Sequence, residues 1–148
     1  MSRRRRRRKL RTIVVVDTGP LVAAAIRRDP DHDRCVTFFE EVSEPLVIPQ
    51  LVITEAAHLV GRIFSASAEA NFIRALADAV VSFHCNDPRD LRRMAELMDT
   101  YADLPLGTVD AAVIATAERL GVTKIATLDR RHFTVVRPTH VPSFELLP

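Results

Sequence analysis

Four carboxylates stand where folding could gather them: Asp17, Glu55, Asp110 and Asp129. Asp17 follows the apolar run Ile13–Val16 and precedes Thr18-Gly19-Pro20. That stretch reads as buried strand, acid, tight turn and helix. Pro20 can take the first helical position, where no N–H is needed. An open α/β sheet presents its ligands at the carboxyl ends of its strands. Asp129 closes the run Lys124–Leu128, the expected fourth strand, and so stands at the same kind of end. Asp110 falls in the first turn of the helix after the Gly107 loop, and Glu55 one turn into the helix after the second strand. Carboxylates that converge repel one another, and one of them keeps a proton unless a cation intervenes. Oxygen ligands that leave room for water suit Mg²⁺ or Mn²⁺ better than Zn²⁺. The chemistry open to such a site is phosphodiester hydrolysis.

Each acid also has a plainer reading. Asp17 can cap the helix that follows it. Asp110 near a helix N-terminus complements the macrodipole. Glu55 can face solvent, and Asp129 can serve a turn. Asp103 can cap the Gly107 loop. His58 and His132 read as surface or core histidines rather than as ligands. Spacing alone permits a metal site without requiring one.

The elements that must position these residues alternate in type. Helices are expected from Pro20 to Ile26, from Asp31 to about Ser43, from Gln50 to Phe64, and from Ser67 to about Ala79. Two more are expected from Asp87 to Ala102 and from a Thr108 cap to Leu120, where Gly121 ends the helix. Strands are expected at Ile13–Val16, Leu46–Ile48, Val80–Phe83 and Lys124–Leu128, with a fifth at Phe133–Val136. No element is assigned to the Pro-rich end. Strands alternating with helices, without hairpin signals, predict βαβ units. The fold class is therefore α/β, with a mostly parallel central sheet of four to five strands flanked by helices. The four glycines form neither a G-x-G-x-x-G nor a P-loop, which excludes a nucleotide cradle.

A chain of 148 residues suits one domain. No run approaches the roughly 20 apolar residues of a membrane span, and the apolar run after the Arg stretch is too short for a signal peptide. A cytoplasmic protein is expected. Cys35 and Cys85 are far apart and read as buried, reduced thiols. The net charge of +2 conceals an asymmetry. Arg3–Arg8, Lys9 and Arg11 hold eight of the 21 basic residues, which leaves 13 basic against 19 acidic, a balance of −6. Residues 1–11 are expected to form a disordered basic tail, with a single domain over 12–148. Such a run can bind nucleic-acid phosphates without specificity.

The blocks Val15-Val16-Asp17-Thr18-Gly19-Pro20-Leu21, Val52-Ile53-Thr54-Glu55-Ala56, Asp103 to Ala112 and Ala126 to Phe133 occur in order and at domain-sized spacing. Through them the sequence resembles PIN-domain proteins, in particular the VapC toxins of type II toxin–antitoxin systems. The resemblance implies a three-layer α/β fold and a Mg²⁺- or Mn²⁺-dependent endoribonuclease. It implies catalytic roles for Asp17, Glu55, Asp110 and Asp129. Asp17 and Asp110 would be the direct metal ligands; Thr18, Asp103 and Thr127 would be supporting residues. It further implies an RNA substrate (transfer or ribosomal), a homodimer, and a VapB-like antitoxin docked in a groove near the acidic site, lined by Val22, Ile26, Phe38 and Phe39. The Arg-rich tail is a departure from the family pattern. The rival reading is a PIN-like module that binds RNA or protein without cutting. A phosphoacceptor domain of the receiver type is disfavoured, since it needs paired acids where only Asp17 stands.

Overall fold

Val14, Val15 and Val16 are all fully buried. Consecutive side chains of a strand point to opposite faces, so this strand is covered on both sides, as parallel sheets require. It is β1 (Arg11–Val16), the middle of a five-stranded, wholly parallel sheet. The computed structural model describes residues 11–148, and the basic run Arg3–Lys9 lies outside the described residues. β1 starts at Arg11, the last residue of the expected tail.

The other strands are β2 (Leu46–Pro49), β3 (Ser82–His84), β4 (Val122–Ala126) and β5 (Glu145–Leu147), in the order β3-β2-β1-β4-β5. The helices are α1 (Thr18–Ala25), α2 (His32–Glu41), α3 (Gln50–Ile63), α4 (Ala66–Asp78), α5 (Pro88–Thr100), α6 (Thr108–Leu120) and α7 (Arg130–Val135). Local chemistry sets most of their ends. Ser65 Oγ accepts the Ala68 N–H and starts α4. Asp87 starts α5: its carboxylate accepts the N–H groups of Arg89 and Asp90, and Pro88 takes the first helical position. Gly121, at φ 70°, ends α6 in the left-handed region that favours glycine. α6 is buried continuously from Ala111 to Glu118, so it belongs to the core and not to the surface. Among the described residues, no helix is long and apolar enough to cross a membrane.

Several expectations need correction. Pro20 is the third residue of α1, not the first, because Asp17 caps the helix two residues earlier than expected. Gly107, not Thr108, holds the N-cap position of α6. Asp31 does not cap α2 with its side chain; its carboxylate pairs with Arg34 at 2.6 Å. Cys35 is buried as expected, but Cys85 is exposed just beyond β3. β4 ends at Ala126, so Asp129 lies three residues past the strand and not at its end.

The largest correction concerns residues 133–136, expected as a strand and found in and just after α7. Asp129 accepts the His132 N–H and turns the chain into that helix. Phe133 and Val136 are buried while Val135 is 47% exposed, which is the three-residue rhythm of a helix. The fifth strand is instead Glu145–Leu147, which pairs with β4 through Lys124↔Glu145, Ile125↔Leu146 and Ala126↔Leu147. Its hydrophobic signal is two leucines long, too short to read by period.

The helical reading of residues 133–136 separates two substitutions that a strand would rank the other way. Val136→Ala should cost about 2 kcal/mol in urea unfolding, and Val135→Ala less than about 0.5 kcal/mol. A larger loss at Val135 than at Val136 would contradict α7.

Candidate active site

Asp17 is positioned by the pairing of β1 with β4. The register sets Val16 beside Ala126, and the Asp17 N–H donates to Ala126 O at 2.9 Å. Asp17 and Thr127 are therefore neighbours across the sheet edge, 110 residues apart in sequence. Thr127 Oγ1–H donates to Asp17 Oδ2 at 2.7 Å, and the Thr18 N–H donates to Oδ1 at 2.8 Å. Asp17 thus caps α1 and faces the site at once; its two readings are not exclusive. The same Thr127 Oγ1 accepts the Asp129 N–H at 3.0 Å, which fixes the turn that carries the second acid.

Glu55 is exposed on α3, and Thr18 Oγ1–H donates to its Oε2 at 2.5 Å. Thr18 is thereby a link between the first acid and the second. Asp110 lies in the first turn of α6, where its Oδ2 accepts the Gly107 N–H at 3.3 Å. Asp103 is exposed in the turn before α6, with no hydrogen bond or ion pair to the other acids.

Burial decides the electrostatics. Asp17 is 5% exposed, and desolvation pushes its carboxyl up to about 6 against the pull of the Thr127 and Thr18 hydrogen bonds. The charges of Asp110 and Glu55 push it in the same direction. Asp110 is also raised, first by burial and then by Asp129 and Glu55, while the Gly107 N–H and His132 oppose the rise. Asp17 thus feels the charges of Asp110 and Glu55, and Asp110 those of Asp129 and Glu55.

His132 is the residue that sequence reasoning missed. It was read as a surface or core histidine, yet its Nδ1 lies 2.6 Å from Asp129 Oδ2 and 3.3 Å from Asp110 Oδ2. Its Nε2–H donates to the Leu104 carbonyl at 3.0 Å. The available signal was the Asp129-x-x-His132 spacing, which aligns two side chains once the segment is helical. Among the described residues, Asp110, Asp129 and His132 form one group whose ligand atoms all lie within 4.8 Å of one another. Asp17 and Glu55 stand outside that group and are joined to it through their charges. His58 is exposed on α3, as its plainer reading had it.

The donor set suits a divalent cation. It offers desolvated carboxylates that resist ionising together, and an imidazole nitrogen that faces two of the carboxylate oxygens.

A separate apolar groove of about 850 Å³ lies between the early helices and the β2–β3 edge. Leu21, Phe39, Val42, Phe72, Leu76 and Val81 line it, and none of the four acids does. Of the expected groove residues, Phe39 lines it and Phe38 does not; Val22 and Ile26 are buried in the core instead.

Residues 14–137 match the family model of the PIN domain. The ribonuclease VapC26 of Mycobacterium tuberculosis is 29% identical over 135 residues, spanning 91% of this chain and all of the relative. Among solved structures the fold is similar to VapC20 of the same organism, described as a sarcin–ricin-loop-cleaving toxin. The TM-score is 0.77 at 16% identity, covering 87% of this chain and 98% of that one. It is also similar to VapBC2 of Rickettsia felis bound to a DNA fragment from its promoter, with a TM-score of 0.66 at 12% identity over 92% and 99% of the two chains. VapBC of Salmonella typhimurium bound to DNA gives 0.65 at 15% identity over 93% and 97%.

The raised carboxyl of Asp17 has a consequence for stability. The folded chain holds that proton more tightly than the unfolded chain, whose carboxyl titrates near 3.8. This contribution is full below pH 4 and is lost as pH rises through 6, a loss of about 3 kcal/mol by linkage. In a chelator at pH 7.5, Asp17→Asn should therefore be more stable to urea than the native chain by about 1–3 kcal/mol. It should also lose the stabilisation that a divalent ion gives the native chain. A variant that is destabilised in chelator would show that Asp17 is not held against its own charge.

Proposed function

The chain belongs to the PIN-domain family, and on that premise we propose that it is a metal-dependent endoribonuclease, the toxin half of a VapBC-like pair. The observation that carries the proposal is the set of four mutually repelling carboxylates around the desolvated Asp17 at the carboxyl edge of the sheet. Without a cation such a cluster must keep a proton, and a divalent ion relieves the repulsion with the acids ionised. Asp17 and Asp110, the two acids raised by burial, are the residues we assign to hold the ion, Mg²⁺ or Mn²⁺. Glu55 and Asp129 stand at the more open side, where they can act through water or complete the coordination of an ion. Thr127 keeps the Asp17 carboxylate aimed, and Thr18 does the same for Glu55. When bound, the ion would supply Lewis-acid polarisation of the phosphoryl group and a water of lowered pKa.

RNA must approach a body whose formal balance is −6 outside the N-terminal basic run. Bare carboxylates repel phosphate, so substrate and ion are coupled: the acids accept RNA only after their charge is offset. Arg131, exposed in α7 beside Asp129, is placed to meet the phosphate backbone. Arg130 is held partly aside by the Pro148 carbonyl at 2.9 Å. We take structured RNA, transfer or ribosomal, as the substrate class and the cytoplasm as the compartment. A VapB-like antitoxin, supported by the VapBC complexes among the structural relatives, would occupy the apolar groove, and a homodimer completes the proposal. The rival, a PIN-like module that binds without cutting, gains nothing from a site in which all four positions are acidic.

The purified chain should cleave RNA with Mg²⁺ or Mn²⁺ and stop when a chelator is added. Asp17→Asn should lower cleavage at least about 100-fold while its far-ultraviolet circular dichroism is unchanged. Full activity in that variant would overturn the assignment. Failure of the native chain to bind any divalent ion at millimolar concentration would favour the non-cutting module.

A further inference from the structure

The sequence-based expectation was an oxygen-only ligand set, but the structure brings a nitrogen to it. His132 is fixed at both ends of its ring. The Leu104 carbonyl can only accept, so the Nε2 that faces it at 3.0 Å carries the proton. In the neutral ring that leaves Nδ1 with a free lone pair. Nδ1 is buried and faces two carboxylates. Asp129 Oδ2 lies 2.6 Å away. Asp110 Oδ2 lies 3.3 Å away on the other carboxylate. The ring nitrogen and two carboxylate oxygens thus converge on one point, while the other end of the ring is held by Leu104. Neighbouring ligands of an octahedral ion, bound at 2.0–2.1 Å, sit about 3 Å apart. The two His132 distances bracket that value.

We propose that His132 Nδ1 is a ligand, alongside Asp110 and Asp129, for the divalent ion on which the proposed nuclease activity depends. This assignment rests on the metal-dependent reading above and adds a nitrogen donor to it. Leu104 then has a positioning role through its carbonyl, which sets the tautomer and ring orientation that the ligand needs. The loop before α6 is thereby tied to the metal through α7. A nitrogen donor also changes which ions the site prefers. Imidazole adds more to the binding of later first-row ions such as Co²⁺ than to that of Mg²⁺.

The test uses the full chain titrated with Co²⁺ and with Mg²⁺ at pH 7.5. In the Co²⁺-loaded protein, proton NMR should show one strongly shifted, exchangeable imidazole N–H. It should exchange slowly because Nε2–H is held by Leu104 O. His132→Gln should remove that signal, weaken Co²⁺ at least about 10-fold by calorimetry, and weaken Mg²⁺ less than about 3-fold. The native signature needs no variant and stands even if His132→Gln folds poorly. Tight Co²⁺ binding without a shifted imidazole proton, or with unchanged affinity in His132→Gln, would overturn the histidine assignment and leave the nuclease reading intact. Absence of binding by either ion to the native chain would overturn both.

Discussion

Asp17 is a carboxylate with almost no water around it, held by one hydroxyl and one backbone N–H. That position would be unfavourable in isolation, because burial raises the free energy of the charged form. It is imposed by the parallel pairing of β1 with β4, which sets Val16 beside Ala126 and so delivers Asp17 to Thr127. The pairing is itself enforced by the core: Val14, Val15, Val16, Ile125 and Ala126 are all fully buried between the helical layers. Slipping the register by one residue would turn these side chains to the wrong faces. The hydrophobic core thereby holds a carboxyl group where its charge is disfavoured, a cost that a bound cation would offset.

The other parts of the site attach to this edge through short links. α6 is buried along most of its length, and its first turn carries Asp110. The Thr127 hydroxyl serves two acids, donating to Asp17 and accepting from the Asp129 N–H. Thr18 follows the same logic towards Glu55. His132 ties the loop at Leu104 to both Asp110 and Asp129. Away from the site, polar groups are paired in a different manner. Asp90 is 2% exposed, but Arg119 and His84 reach its carboxylate, and its pKa is lowered despite burial. The contrast is informative: Asp90 has its counter-ions built in, and Asp17 does not.

Much of this was legible in the residues themselves. The Val run before Asp17 announced a strand buried on both faces. The Asp87-Pro88 pair announced the start of α5, and Gly121 the end of α6. The parallel sheet followed from the alternation of elements, and the four acids stood out by their places after strands, in a first helical turn and one turn into a helix. What was not legible depended on tertiary context. Phe133-Thr134-Val135-Val136 is rich in β-branched residues, yet Asp129 capping and the burial of Phe133 and Val136 make it helical and its approach a turn. β5 is three residues long and exists because the edge of β4 was open to it. His132 escaped notice because its role depends on α7 being a helix and on a carbonyl 28 residues away. Val22 and Ile26 looked suited to a groove, but α1 turns them into the core.

The acids at this sheet edge are proposed to share one divalent ion. Crystals of the native chain soaked in millimolar Mn²⁺ test it most directly, through the anomalous scattering of the metal. A peak within bonding distance of Asp110, between it and Asp17 or Asp129, is the predicted result. No anomalous peak among these carboxylates, with the same residues ordered and the crystals diffracting well, would contradict it.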